Sequence, residues 1–282
     1  MLTPLTIRAA DGYPLACTLY SSTQLIRHGT IIVAGATGVP QGFYRRFAEH
    51  ASARGYRVMT FDYRGIGQSA PATLKGFGGN FLDWGRLDLA AVIEGCAMEH
   101  EPLFIVGHSY GGSALGLAAN HARVSAMYTF GTGAGWHGWM PWVEQVRVKL
   151  MWHVMGPLLV KFHGYLAWRR LRLGEDLPLG VYQQWKCWCR YPHFFFDDPT
   201  MSVATSGFKA VRIPIVAANA SGDRWAPPRS RDAFMQGYVN ASWCGVDIND
   251  MSLGHMGYFR SKAQPLWDTA LEWLEKQGNK QP

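Results

Sequence analysis

The chain has 282 residues, of which 48% are hydrophobic and 17% charged, enough for one large core and without a polar or repetitive tract that would leave it disordered. Its net charge is +7, but the lysines and arginines are scattered and no nucleic-acid-binding motif accompanies them, so a basic solvated surface is expected rather than a nucleic-acid partner. Five cysteines, an odd count, favour reduced thiols in a cytoplasm over a disulfide framework. The opening residues lack the basic-then-apolar order of a signal peptide. Eighteen apolar residues nowhere run together, so no membrane span is expected. The most apolar tract, residues 150–162, is interrupted by His153, Gly156, Pro157 and Lys161.

In chain order, Thr30 to Ala34 is a β-branched run ending at Gly35, the pattern of a buried strand. A loop Gly35-Ala36-Thr37-Gly38-Val39-Pro40 follows, and then Phe43, Tyr44, Phe47, Ala48 and Ala51 recur at helical spacing, with Gly55 placed to end the helix. Tyr56 to Phe61 reads as the next strand, and residues 62–67 as a turn. A helix is predicted from about Asp83 to His100, a strand from Leu103 to Val106, and a sharp turn at 107–111. A small-residue helix is predicted over 113–121 and a strand over 124–130. From Gly131 to Gly207 no strand is predicted. Alternation returns with a strand at 211–219, a helix at 232–238, a short strand at 245–248 and a last helix from Pro265 to Gly278. Strict strand–helix alternation means right-handed crossovers and a mainly parallel sheet with helices on both faces, whose sites lie at the carboxyl ends of the strands.

Gly107-His108-Ser109-Tyr110-Gly111 fits G-x-S-x-G between a predicted strand and a predicted helix. The glycines are required because a serine in a strained turn can be presented only if strand and helix approach closely. A helix N-terminus aimed at the serine would also favour developing negative charge. A serine hydroxyl needs a base to accept its proton and a carboxylate to fix the base's tautomer, and with this kind of nucleophile turn the chain order is serine, acid, histidine. His255 sits in a glycine-flanked loop between the last strand and the last helix, where that base belongs; the bland alternative is a surface-loop histidine. His108 is read as a packing residue. Asp223, after the 211–219 strand, is the expected acid, against a turn or N-cap role for the same residue. Asp62, Asp247 and Asp250 are its competitors. Backbone N–H groups of Tyr110 and Ala36, with Thr37 the neighbour of the latter, are the expected oxyanion donors.

Thr60-Phe61-Asp62-Tyr63-Arg64-Gly65-Ile66-Gly67-Gln68-Ser69 is similar to the D-x-R-G-x-G-x-S segment of α/β-hydrolases. With 107–111, Gly222-Asp223 and Gly254-His255 it spans both ends of the chain in order. The stretches Ala36 to Gln41 and Gly254 to Arg260 resemble a group of uncharacterised bacterial predicted α/β-hydrolases. The resemblance implies that fold, with a helical cap inserted after the sixth strand. The expected division is core 1–131, cap 132–207 and core 208–282. It also implies serine-esterase-like chemistry on Ser109, Asp223 and His255, with no metal or organic cofactor. The usual histidine before the first glycine of the 35–38 loop is absent, since Ala34 stands there.

The 131–207 stretch holds seven of the twelve tryptophans, and eight lysines or arginines against five acidic residues. Dense tryptophan fits either an aromatic-lined pocket or the core of a shallow cap, the latter preferred for most of them. Trp225 and Thr37 are expected at the pocket. The surplus of three positive charges fits an acidic substrate or a membrane surface. Cys187-Trp188-Cys189 offers only two thiols, so zinc is not expected. The expected activity is cleavage of a carboxylic ester or thioester of an apolar acyl group. Acyl transfer remains open, as does cleavage of a small peptide or amide with Glu144, Glu175 or Asp176 holding the amine. So does a non-catalytic binding protein on the same fold.

Overall fold

The computed structural model describes the chain apart from residues 23, 25–26, 172–173 and 280–282. Eight strands form one sheet: β1 (Leu2–Arg8), β2 (Pro14–Tyr20), β3 (Gly29–Ala34), β4 (Tyr56–Phe61), β5 (Leu103–His108), β6 (Ala126–Phe130), β7 (Pro214–Ala220) and β8 (Ser242–Ile248). Their spatial order is β1-β2-β4-β3-β5-β6-β7-β8. β1 and β2 pair antiparallel with each other, and β2 antiparallel with β4, while β3 to β8 are parallel. The central strands β3, β5 and β6 are buried along their whole length, as their unbroken apolar runs require when helices cover both faces.

One face of the sheet packs on the helices Arg45–Ala53 and Gln264–Gly278 through Phe47, Tyr56 and Trp267. The opposite face packs on a helix whose first turn, Phe81–Asp83, widens into a π-helical Trp84–Leu89 and returns to α over Ala90–Cys96. Asn80 and Asp83 start it with reciprocal side-chain bonds, a capping box.

The D-x-R-G-x-G-x-S segment is the brace behind the carboxyl end of β4. Asp62 is buried and accepts from the backbone of Gln41 (2.7 Å) and Gln68 (2.9 Å). Arg64 holds buried Asp88 and reaches Asp11, and Ser69 accepts from the Ala16 N–H. Gly67, at φ +52, leaves no room for a Cβ beside the Asp62 carboxylate, so only glycine fits.

Between β6 and β7 the chain is helical, with one isolated bridge, Leu166 to Leu177, among the described residues. Its longest element runs without a break from Trp142–Leu150 through π-helical Met151–Met155 to Gly156–His163. Pro157 explains the wide turn. It cannot donate, so the Trp152 carbonyl is left without its helical partner and accepts from the Tyr182 hydroxyl instead (3.4 Å).

Several expectations differ from the structure: the helix expected to reach His100 ends at Cys96, and the one expected over 232–238 is Pro228–Met235. The hairpin β1–β2 was not predicted, although its Asp11-Gly12 turn, with Gly12 at φ +85, is a local hairpin signal. The predicted 113–121 helix is instead a single α-turn, Tyr110–Ser113, followed by short 3-10 turns at Leu115–Leu117 and His121–Arg123. Gly111, Gly112 and Gly116 are the reason, because close packing there selects residues with poor helix propensity.

Candidate active site

Ser109 stands at the junction of β5 and the following turn with φ +52 and ψ −115. A non-glycine residue held there stores on the order of 1–3 kcal/mol of strain, tolerated only where the surroundings over-determine it. They do so here. Ser109 N–H donates to the Phe130 carbonyl (2.9 Å), and its own carbonyl accepts from Gly112 N–H (3.1 Å) and the Thr132 hydroxyl (2.9 Å). A Cβ on Gly107 would lie 2.6 Å from Gly112 Cα, and one on Gly111 would collide with the Ala34 carbonyl. Because the helix after Ser109 is one turn long, its dipole adds little, and the individual N–H groups carry the electrostatics.

Asp223 follows β7 and is fully buried. Its Oδ2 accepts from His255 Nδ1 (2.8 Å) and the Tyr258 hydroxyl (3.0 Å), and its Oδ1 accepts from Trp225 N–H (3.0 Å) and Ala226 N–H (2.9 Å). Burial alone would push this carboxyl up. The charge and hydrogen bond of His255, with the bonds from Ala226 and Tyr258, more than offset it and hold the group below the usual carboxylate range. An ionised carboxylate only accepts, so His255 Nδ1 carries the proton and Nε2 is left as an acceptor. The competing acids are engaged elsewhere. Asp62 is beneath the β4 turn, Asp247 pairs with Arg231 (2.6 Å), and Asp250 caps Ser252 (2.7 Å).

Ser109 and His255 line the same cavity, about 250 Å³ in volume, with Thr37, Trp225, Met151, Trp168 and Trp185 among its walls. A second space of about 20 Å³, room for about one water, continues past Ser109 and Tyr110 toward Phe81 and Phe194, with Thr37, Trp185 and Trp225 again among its walls. The structure therefore brings together Ser109, His255, Asp223, Tyr110, Thr37 and Trp225.

Ala36 requires a correction. Its N–H already donates to the Tyr44 hydroxyl (2.7 Å), a buried acceptor that an incoming oxyanion would have to displace. Among the described residues, the N–H groups of Thr37 and Tyr110 meet no protein acceptor. In this loop the Thr37 N–H is therefore open while that of Ala36 is taken.

Sequence reasoning missed Tyr44 and the second role of His108. His108 Nε2 donates to the His255 carbonyl (2.9 Å), so its Nδ1 accepts from the Tyr44 hydroxyl (2.9 Å), whose oxygen accepts from Ala36 N–H. Burial, helped by the neighbouring His255, pushes His108 down to about 3 and keeps it neutral. A single directed chain of hydrogen bonds thus ties the 35–38 loop to the His255 loop. No local signal marks a core tyrosine for this.

The model of the Alpha/beta hydrolase family matches residues 28–263. Over 105 residues the chain is 31% identical to monoglyceride lipase of Saccharomyces cerevisiae, a stretch covering 34% of this chain and 33% of that protein, about a third of the relative's length. Among solved structures, a soluble variant of that lipase in complex with a substrate analogue superposes with TM-score 0.68 at 16% identity, covering 98% of this chain and 96% of that one. Est1E of Butyrivibrio proteoclasticus bound to ferulic acid superposes with TM-score 0.65 at 16% identity, covering 98% and 100%. At such identities the superpositions speak for the fold, and the family match extends the likeness to sequence. The chain belongs to the alpha/beta hydrolase family.

Proposed function

We propose that this chain cleaves a carboxylic ester or thioester of an apolar acyl group through an acyl-Ser109 intermediate. The observation that carries the reading is the 2.8 Å bond from His255 Nδ1 to buried Asp223, with His255 and Ser109 on one cavity wall. His255 Nε2 takes the Ser109 proton as Oγ attacks the carbonyl carbon, and the N–H groups of Tyr110 and Thr37 receive the oxyanion. The tetrahedral intermediate collapses, and the His255 imidazolium gives its proton to the departing alcohol or thiol. Water, deprotonated by His255, then attacks the acyl carbonyl, and Ser109 is regenerated. Asp223 stays ionised and holds the tautomer.

Residues 132–207 act as a cap over the core formed by 1–131 and 208–282. Met151, Trp168 and Trp185 from the cap, with Val39, Trp225 and Met256, give an apolar wall suited to an acyl or aromatic group. Monoglycerides, the esters in the name of the lipase relative, are the class to test first. The amine-holding role needed for a small-peptide substrate has less support, because Glu144 pairs with Arg147, Glu175 with Arg169, and Asp176 accepts from the Arg169 N–H. The five cysteines are free thiols, which supports a reducing, cytoplasmic setting.

The test is labelling with a fluorophosphonate probe, wild type beside Ser109→Ala. Labelling of the wild type and its loss in the variant are expected, followed by turnover of acyl esters. A folded wild type that neither labels nor turns over esters would overturn the reading in favour of a binding protein.

A further inference from the structure

Six of the fourteen exposed large apolar side chains among the described residues lie on one helix, 142–163. They are Trp142, Val146, Leu150, Val154, Leu158 and Phe162, spaced four apart and between 47% and 75% exposed. Single exposed apolar residues need no explanation, but a continuous row does. In a regular α-helix a four-residue step overshoots a full turn by about 40°, so such a row would wind around the axis. The wider π-helical turn Met151–Met155 takes more residues per turn and sets the row back, which leaves it on the solvent side from end to end. The opposite side of the same helix is committed, with Val148, Trp152 and Gly156 buried.

Charge says what covers the row. Arg147, Lys149 and Lys161 flank it and are exposed, and neither lysine has a carboxylate within ion-pair distance among the described residues. The helix's one acidic residue, Glu144, is neutralised by Arg147 at 2.8 Å. Large apolar and aromatic side chains on one face, bordered by cations, are the composition of a helix that lies in a lipid headgroup region. A second copy of the same face would set Lys149 and Lys161 against like charges. No helix among the described residues is long and apolar enough to cross a membrane, so the contact is with the surface.

We propose that the 142–163 helix docks this protein on an anionic lipid bilayer. Its apolar row enters the headgroup–acyl boundary, and Lys149 and Lys161 meet lipid phosphates. Met151, next in the chain to Leu150, lines the cavity that holds Ser109, so docking brings that cavity's wall to the lipid surface.

Flotation of the full chain with phosphatidylcholine vesicles, with and without phosphatidylglycerol, tests this. Wild type is expected to float with the phosphatidylglycerol vesicles, less at high salt. Leu150→Asp/Leu158→Asp is expected to lower partitioning about tenfold or more on all vesicles. Lys149→Glu/Lys161→Glu is expected to do so on the anionic ones only. Unchanged thermal melting of both variants shows that they fold. Wild type that stays with neither vesicle, or variants that float like wild type, would overturn the proposal. So would a wild-type dimer that Leu150→Asp/Leu158→Asp converts to monomer without any vesicle binding. The readout is independent of catalysis, so its failure would leave the hydrolase reading standing.

Discussion

Asp223 carries two tasks that appear as alternatives in its sequence context: its Oδ1 closes the turn to Ala226, and its Oδ2 holds His255 and Tyr258. Asp223→Asn preserves much of the turn but reverses the demand on His255 Nδ1, so kcat on a soluble ester should fall by about 10⁴ with the fold retained. Full activity would hand the orienting role to another carboxylate. His108 makes a prediction about stability. Its folded value is about 3 against an ordinary 6.5. The unfolded chain therefore takes up a proton below about pH 6.5 that the folded chain refuses until about pH 3, and stability drops as pH falls through that window. His108→Gln should flatten the dependence of Tm on pH there by as much as one proton. An unchanged slope would mean that His108 is not the group responsible. Ser109, His255 and Asp223 were legible because their proposed chemistry admits few residue types. Tyr44 and Tyr258 were not, since in sequence a tyrosine serving a hydrogen-bond network looks like one filling space.

The parallel strands and the flanking helices were legible from unbroken apolar runs and 3.6-residue periodicity, though β5 continues to His108 and β7 begins only at Pro214. The turn after β5 shows where local reading stops. Gly111 was legible as part of a motif, but its purpose is a contact with β3, 77 positions earlier in the chain: a Cβ there would strike the Ala34 carbonyl, a backbone atom that cannot move aside. Gly111→Ala should therefore cost on the order of 3 kcal/mol in urea unfolding, the upper range for overpacking. Gly42, with nothing within 4 Å of a Cβ, is the control. Its replacement by alanine should stay within about 0.5 kcal/mol. Equal effects at the two sites would refute the close-approach account.

At the scale of the molecule, Trp185 joins the helices between β6 and β7 to the rest. Its ring lies 5.0 Å from Trp152, 5.8 Å from both Trp168 and Trp225, and 6.2 Å from Phe81. Trp185→Ala should destabilise the chain by about 3–5 kcal/mol in thermal or urea unfolding. A change under about 1 kcal/mol, within the small-effect range of point mutants, would mean that these helices pack independently of it. Of the seven tryptophans in this stretch, Trp152, Trp168, Trp185 and Trp188 are buried while Trp142 is open to solvent, a division no periodicity announced. By itself the sequence determined the alternating α/β architecture, the sharp turn at Ser109 and the residues from which the proposed serine, acid and histidine are drawn. These follow from backbone sterics and hydrophobic period, which act over a few residues. The tertiary structure alone decided that Ala36 N–H is taken by Tyr44 while Thr37 N–H is open, and that Asp62 and Asp247 are committed elsewhere. It also decided which apolar side chains of the 142–163 helix face solvent. Each of these is a competition among partners distant in the chain for one hydrogen bond or one buried position, and such a contest has no outcome until the chain has folded.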